Sequence, residues 1–277
     1  VSYAVALCLT GVWEEVLLDD YAPCRSDNKL AFNSSKFNEL WVVLLEKAWA
    51  KVHGGYLNIE AGLTREALRD LTGASAKTYF LKQKPESIWK RLMEAEKTNF
   101  IMTAGSDNLS GGSDVYIPKI GIAGSHAYSL LSVYQLKEDN GQYRLTGEGE
   151  EYSVRLLKLR NPWGKGEWKG DWCDEDARWT PELKGLLGFP EQVEDGIFFM
   201  TWEDFQTYYS DVQICYFHDG YKYSAIKSKS KRGEVVVLRF KLDTPGKYYF
   251  SVNQINRRFY PKQSGYRYSK ISWVLGK

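Results

Sequence analysis

The sequence predicts an α+β fold, with a helical portion early, a β-rich portion after it and the start of an antiparallel β-sandwich at the end. Three observations carry this reading. Over residues 37–52 the apolar side chains of Leu40, Trp41, Leu44, Leu45, Ala48, Trp49 and Val52 recur at helical spacing, which buries one broad face. Residues 126–136 and 152–160 are rich in Tyr, Leu and Val and read as two strands, joined through a polar stretch that carries Asn140-Gly141. From Gly233 onward three further strand patterns follow, over 234–242, 247–254 and 266–275, with Pro245-Gly246 separating the first pair.

Each element has a local reason. Residues 3–9 alternate, Thr10-Gly11 turns the chain, and residues 12–18 return as a hairpin strand; Asp19-Asp20 then closes it as turn formers. Asn33, Ser34 and Ser35 supply an N-cap for the helix over 37–52, and Gly54-Gly55 ends it. Thr64 caps a short helix over 65–71 with Gly73 past its end, and Pro85 starts another over 86–97. Residues 100–104 read as a buried strand. The stretch 105–124 holds Gly105, Gly111, Gly112, Gly121 and Gly124 and reads as a mobile loop leading to His126. Beyond Gly164, Trp168, Trp172 and Trp179 are spaced through acidic sequence and are expected to pack a loop-rich layer. Thr180-Pro181 starts a helix to Leu187, and Glu194-Asp195-Gly196 turns into a strand over 197–200. Thr201 and Asp204 form a capping-box-like start to a helix over 202–209, and residues 212–217 are a last strand of this portion.

Composition narrows the class. A chain of 277 residues can bury a sizeable core, and 43% hydrophobic with 26% charged residues is ordinary for a globular protein. A net charge of +2 points to no nucleic-acid partner, and no apolar run reaches membrane-spanning length. Four cysteines without a CxxC pair suit a reducing, intracellular compartment, and a cytoplasmic location is expected. The chain opens at Val1 already inside a strand pattern, and is expected to be a fragment.

The chemistry gathers at one strand end. Pairing 126–136 antiparallel with 152–160 brings the start of the first beside the end of the second, and so His126 beside Asn161. An amide next to an imidazole holds the ring in one tautomer and orientation. Pro162 takes the chain out of the sheet, with Trp163 over the junction. A His–Asn pair suggests a Cys-His-Asn hydrolase, yet none of Cys8, Cys24, Cys173 or Cys215 heads a helix N-terminus where a thiol is activated.

These residues sit in blocks that resemble the calpain family of cysteine proteases. The blocks are Gly11, Trp13, Val16, Asp19, Asp20 and Pro23, then LWVVLLEKAWAKVHGGY from Leu40, SHAYS from Ser125, LRNPWG from Leu159 and EDGIFFMTWEDF from Glu194. HAYSLLSV and GDWCDEDARWTPEL are similar to the small-optic-lobes type. The resemblance implies a papain-like core over residues 1–217, truncated at its N-terminus, and the start of a calpain-type β-sandwich over 218–277. It implies His126 as general base, Asn161 as its orienting partner and Trp163 as a shield over their bond. The family's cysteine and oxyanion-hole glutamine would lie upstream of Val1, so no nucleophile is expected in this chain. No cofactor is required for the chemistry. Calcium is implied as a regulator, with Glu66 and Asp195 at matching positions; Ile197 and Ala177-Arg178 stand where the family carries acids. The implied activity is endopeptidase cleavage of protein substrates through an acyl-enzyme. The rival from another class is a catalytically inactive protein-binding module on the same fold, and a third is an acyl transferase, which would pass the acyl group to an amine instead of water.

Overall fold

The computed structural model describes residues 1–277 apart from 34, 36–38, 113, 148, 191–193, 230, 232, 261, 273 and 275–277. The fold is α+β, with helices and antiparallel sheets in two compact units. One unit comprises Val1–Ser75 together with Lys222–Lys277, and the other Ala76–Tyr221.

In the first unit, β1 (Ser2–Leu9) and β2 (Val12–Asp19) form the expected hairpin, with Leu9 opposite Val12. The helix α1 (Leu40–Val52) starts later than the periodicity suggests. Its expected first turn falls partly outside the described residues, Glu39 occupies the N-cap, and Ser35 donates to the Glu39 carboxylate at 3.0 Å. The helix packs Leu44, Leu45, Ala48, Trp49 and Val52 against Leu7, Leu9, Val16 and Leu18 of the hairpin. Next comes α2 (Thr64–Thr72), in which Thr64 is the first helical residue rather than the cap, closed by Gly73 in the left-handed region. Among the described residues no strand follows Lys222; two 3-10 turns occur there, at Arg257–Phe259 and Lys262–Ser264. The three strand patterns of this stretch therefore form no paired ladder among the described residues, and Val235 and Val237 are 87% and 83% exposed. β-branched residues favour strands by packing on a pleated surface, and without that surface the pattern alone does not form one.

The second unit is built on one seven-stranded antiparallel sheet. Its strands are β3 (Ala76–Phe80), β4 (Ile101–Ser106), β7 (Ala127–Asp139), β8 (Gln142–Leu145), β9 (Val154–Arg160), β10 (Ile197–Thr201) and β11 (Tyr209–Cys215). The order across the sheet is β10-β9-β7-β4-β11-β3, with β8 pairing the far end of β7. The polar connection after residue 136 is thus not one long loop: β7 continues to Asp139, turns at Asn140-Gly141 and returns as β8. Buried residues on β7 fall at Tyr128, Leu130 and Val133, the bulge at Leu130/Ser132 shifting the alternation by one, while Leu136 is buried from the opposite face in the layer with Trp172 and Leu183. The helix α3 (Pro85–Thr98) lies on this sheet, and Glu96 accepts the Val133 N–H just past the bulge at 3.1 Å. Two short helices, α4 (Pro181–Leu187) and α5 (Trp202–Tyr208), are capped by Thr180 and Thr201, which accept the N–H groups of Leu183 and Asp204. Trp172 and Trp179 pack with Phe199, Leu183 and Leu187 as a layer on the sheet.

The stretch 105–124 contains structure that its glycines conceal. The strands β5 (Val115–Ile117) and β6 (Ile122–Gly124) pair as a small hairpin, Val115 opposite Gly124, immediately before His126.

Candidate active site

In the central sheet β7 pairs with β9, Ser129 opposite Arg160, so the residue before β7 and the residue after β9 meet at one edge. These are His126 and Asn161. Asn161 is fully buried. Its backbone N–H donates to Gly196 O at 2.7 Å and its C=O accepts from Gly164 at 2.9 Å, which pins the turn through Pro162. The side-chain amide is oriented from both ends: Oδ1 accepts the Trp163 N–H at 3.1 Å, and Nδ2 reaches Gly166 O at 3.4 Å. With Oδ1 so placed it can only accept from the imidazole, and His126 Nε2 donates to it at 3.1 Å.

His126 is held by its backbone as well. Its N–H donates to Ser106 Oγ at 2.9 Å, its C=O accepts the Ser106 N–H at 2.9 Å, and Ser106 Oγ donates onward to Ala123 O at 2.7 Å. The Trp163 ring lies 4.3 Å from the imidazole, tilted by 37°, and Tyr128 meets it edge-on at 5.0 Å. Trp163 stays 41% exposed. The Tyr128 hydroxyl accepts the Ala123 N–H at 2.8 Å, and burial pushes the phenol up to about 12.

One site residue has no counterpart in the sequence reasoning. Asp114 Oδ1 stands 2.6 Å from His126 Nδ1. Asp114 immediately precedes β5, its N–H donates to Gly124 O at 3.0 Å, and the β5–β6 hairpin folds it back onto the ring. The signal available was the Val115-Tyr116-Ile117 triplet facing Ile122 across Gly121. Because a carboxylate accepts, Nδ1 is the donor in this contact.

Two of the four cysteines are buried. Cys8 is buried in β1, and burial, with Asp70 nearby, pushes its thiol up. Cys215 is fully buried in β11, beyond a substrate's reach. All four are free of disulfides.

Glu66 and Asp195 lie in different units. Glu66 is buried and already accepts from Asn256 Nδ2 at 2.8 Å and from the Tyr268 hydroxyl at 3.4 Å. Asp195 Oδ1 accepts the Ile197 N–H at 2.8 Å, and the neighbouring Glu167 accepts the Gly196 N–H at 2.8 Å. Asp174 belongs to this corner: its Oδ1 is buried with no hydrogen-bond partner, and burial first, then Glu167 and Asp195, push its carboxyl up to about 7. Among the described residues no group of three or more His, Cys, Asp or Glu is arranged to hold a metal ion. The donors as placed do not fit a calcium centre. Among the same residues no helix is long and apolar enough to cross a membrane.

Comparison with known proteins shows the family. The sequence model described as calpain family cysteine protease matches residues 2–216. A calpain-type cysteine protease DEK1 of Arabidopsis thaliana is 38% identical over 222 residues, 77% of this chain and 10% of its own length. Calpain-9 of Rattus norvegicus is 32% identical over 73% of this chain and 28% of its own length. The calpain-2 catalytic subunit of Mus musculus is 32% identical over 74% of this chain and 28% of its own length. The chain thus spans less than a third of the length of each of these relatives.

Proposed function

As the chain belongs to the calpain family of cysteine proteases, we propose that it supplies the general base and its orienting partner to an intracellular endopeptidase acting on protein substrates. The observation that carries this is the His126 Nε2–Asn161 Oδ1 hydrogen bond of 3.1 Å under the Trp163 ring. With Nε2–H committed to Asn161, Nδ1 is the nitrogen left to move a proton. It takes the proton from a thiol; the thiolate attacks the scissile carbonyl carbon; His126 returns the proton to the leaving amine as the C–N bond breaks. Water then hydrolyses the thioester, His126 taking its proton and handing it back to sulfur. Asn161 keeps the ring from turning, and Trp163 keeps water off the His–Asn bond. Four free thiols suit a reducing compartment, which is why the reaction is placed inside the cell. None of these four is proposed as the nucleophile.

The test is His126→Ala in the longest natural form of the protein, assayed on an unfolded protein substrate. Loss of roughly a thousandfold or more in kcat/KM is expected, since the thiol and the histidine act as a unit. Cleavage unchanged by the substitution would end this assignment. A native protein that binds partners and cleaves nothing would leave the non-catalytic binding module.

A further inference from the structure

We propose that Asp114 is a carboxylate latch on His126, holding the imidazole nitrogen that a nucleophilic thiol needs, so that latch and thiolate exclude one another. The inference deepens the protease reading and rests on it. Three observations support it. The Nε2 side of the ring is taken by Asn161, whose amide is fixed by Trp163 and Gly166, leaving Nδ1 as the only nitrogen for proton transfer. At that nitrogen stands Asp114 Oδ1, 2.6 Å away. A carboxylate there matches a thiolate in charge and in role, as an anionic acceptor of the Nδ1–H.

The carrier of the latch suits withdrawal. The Asp114 side chain is 52% exposed, whereas that of His126 is 9% exposed. Asp114 has φ +56 and follows Gly111 and Gly112, and the hairpin behind it has only three residues in each strand. A rotation of Asp114 into water breaks the contact without disturbing Ser106, Asn161 or Trp163. For the thiol to give its proton to Nδ1, the proton now on Nδ1 must first leave with Asp114 or to water. The new thiolate then takes the carboxylate's place beside the imidazolium, and one proton has passed to water, directly or by way of Asp114.

Two experiments decide it. In this chain with nitrogen-15-labelled histidine, a downfield, exchange-protected Nδ1 proton of His126 is expected. It is lost in Asp114→Asn, whose amide turns an N–H toward the ring, while the Nε2 proton shared with Asn161 stays. Asn tolerates the positive φ, and Asp114→Gly serves as a second variant that removes the side chain without backbone strain. An Nδ1 proton absent from the native chain, or unchanged in both variants, sinks the latch. In the longest natural form that cleaves protein, Asp114→Asn raises kcat/KM by roughly two- to fivefold, the population shift a half-exposed ion pair supports. A fall instead would make Asp114 a positioning residue and overturn the proposal. If no form cleaves, the protease reading fails and the latch loses its role, while the nitrogen spectrum still records whether the contact exists.

Discussion

Ser106 shows how much of the site rests on a residue that takes no part in the chemistry. It is 6% exposed, accepts the His126 N–H, and donates to Ala123 O. Ser106→Ala leaves a buried N–H and a buried C=O without that partner, at a cost of about 1–3 kcal/mol. A lowered urea midpoint with an unchanged slope is expected; an unaltered midpoint would mean that water replaces the hydroxyl. Nothing in the sequence singles Ser106 out, because its importance comes from β4 lying beside β7, with Gly105 opposite Ala127. His126 and Asn161 were legible for the opposite reason: they end two strands whose pairing the Tyr-Leu-Val runs announce. Asp114 was hidden because its approach to the ring needs a hairpin inside a stretch whose glycines read as a loop.

At the scale of elements, Asn161 is placed by the meeting of β9, β10 and the turn before β10. Gly196 makes that turn with φ +83, and a Cβ there would stand 2.8 Å from Asn161 O and 3.0 Å from both Gly164 Cα and Lys165 N. All three are backbone atoms that cannot rotate away. Gly196→Ala therefore adds overpacking of about 1–3 kcal/mol to a left-handed strain of about 1–2 kcal/mol. A drop of that size in denaturant stability is expected, together with a shifted Asn161 side-chain amide resonance. Stability retained with an unmoved amide would show that the turn yields. The helices and strands of the second unit were largely legible from caps and alternation, as at Thr180-Pro181 and Thr201. Where reading failed, the cause was tertiary. β3 has no strong alternation and is a strand because β11 pairs with it, while the patterns after Gly233 form no strand ladder among the described residues.

At the scale of the whole molecule, the two units carry buried titratable groups that respond to pH in opposite senses. In the first, His53 is 2% exposed, with Nδ1 donating to Trp49 O at 2.8 Å and its ring stacked 4.9 Å from Phe259. Burial holds its pKa below the ordinary 6.5, so the unfolded chain binds the proton more readily; this stabilisation is present above pH 6.5 and is lost as pH falls through the folded value. In the second, Asp174 is raised from 3.8 to about 7, so the folded chain holds the proton more tightly. Its stabilisation is present below about pH 4 and is lost as pH rises to 7. Asp176 in the same unit is lowered, by Arg178 first, so its stabilisation is present above pH 3.8 and is lost only as pH falls below it. Asp70 in the first unit is raised by burial and runs against His53, so single variants are the sharper readout than the whole pH curve. Hydrogen exchange in α1 and in β9, followed from pH 4 to 8, should show α1 protection rising with pH relative to β9. The rise is blunted in His53→Gln, and the decline in β9 is flattened in Asp174→Asn. If Asp174→Asn leaves the β9 slope intact, the proton is held elsewhere in the Glu167–Asp195 corner, and Glu167, which burial also raises, becomes the group to replace.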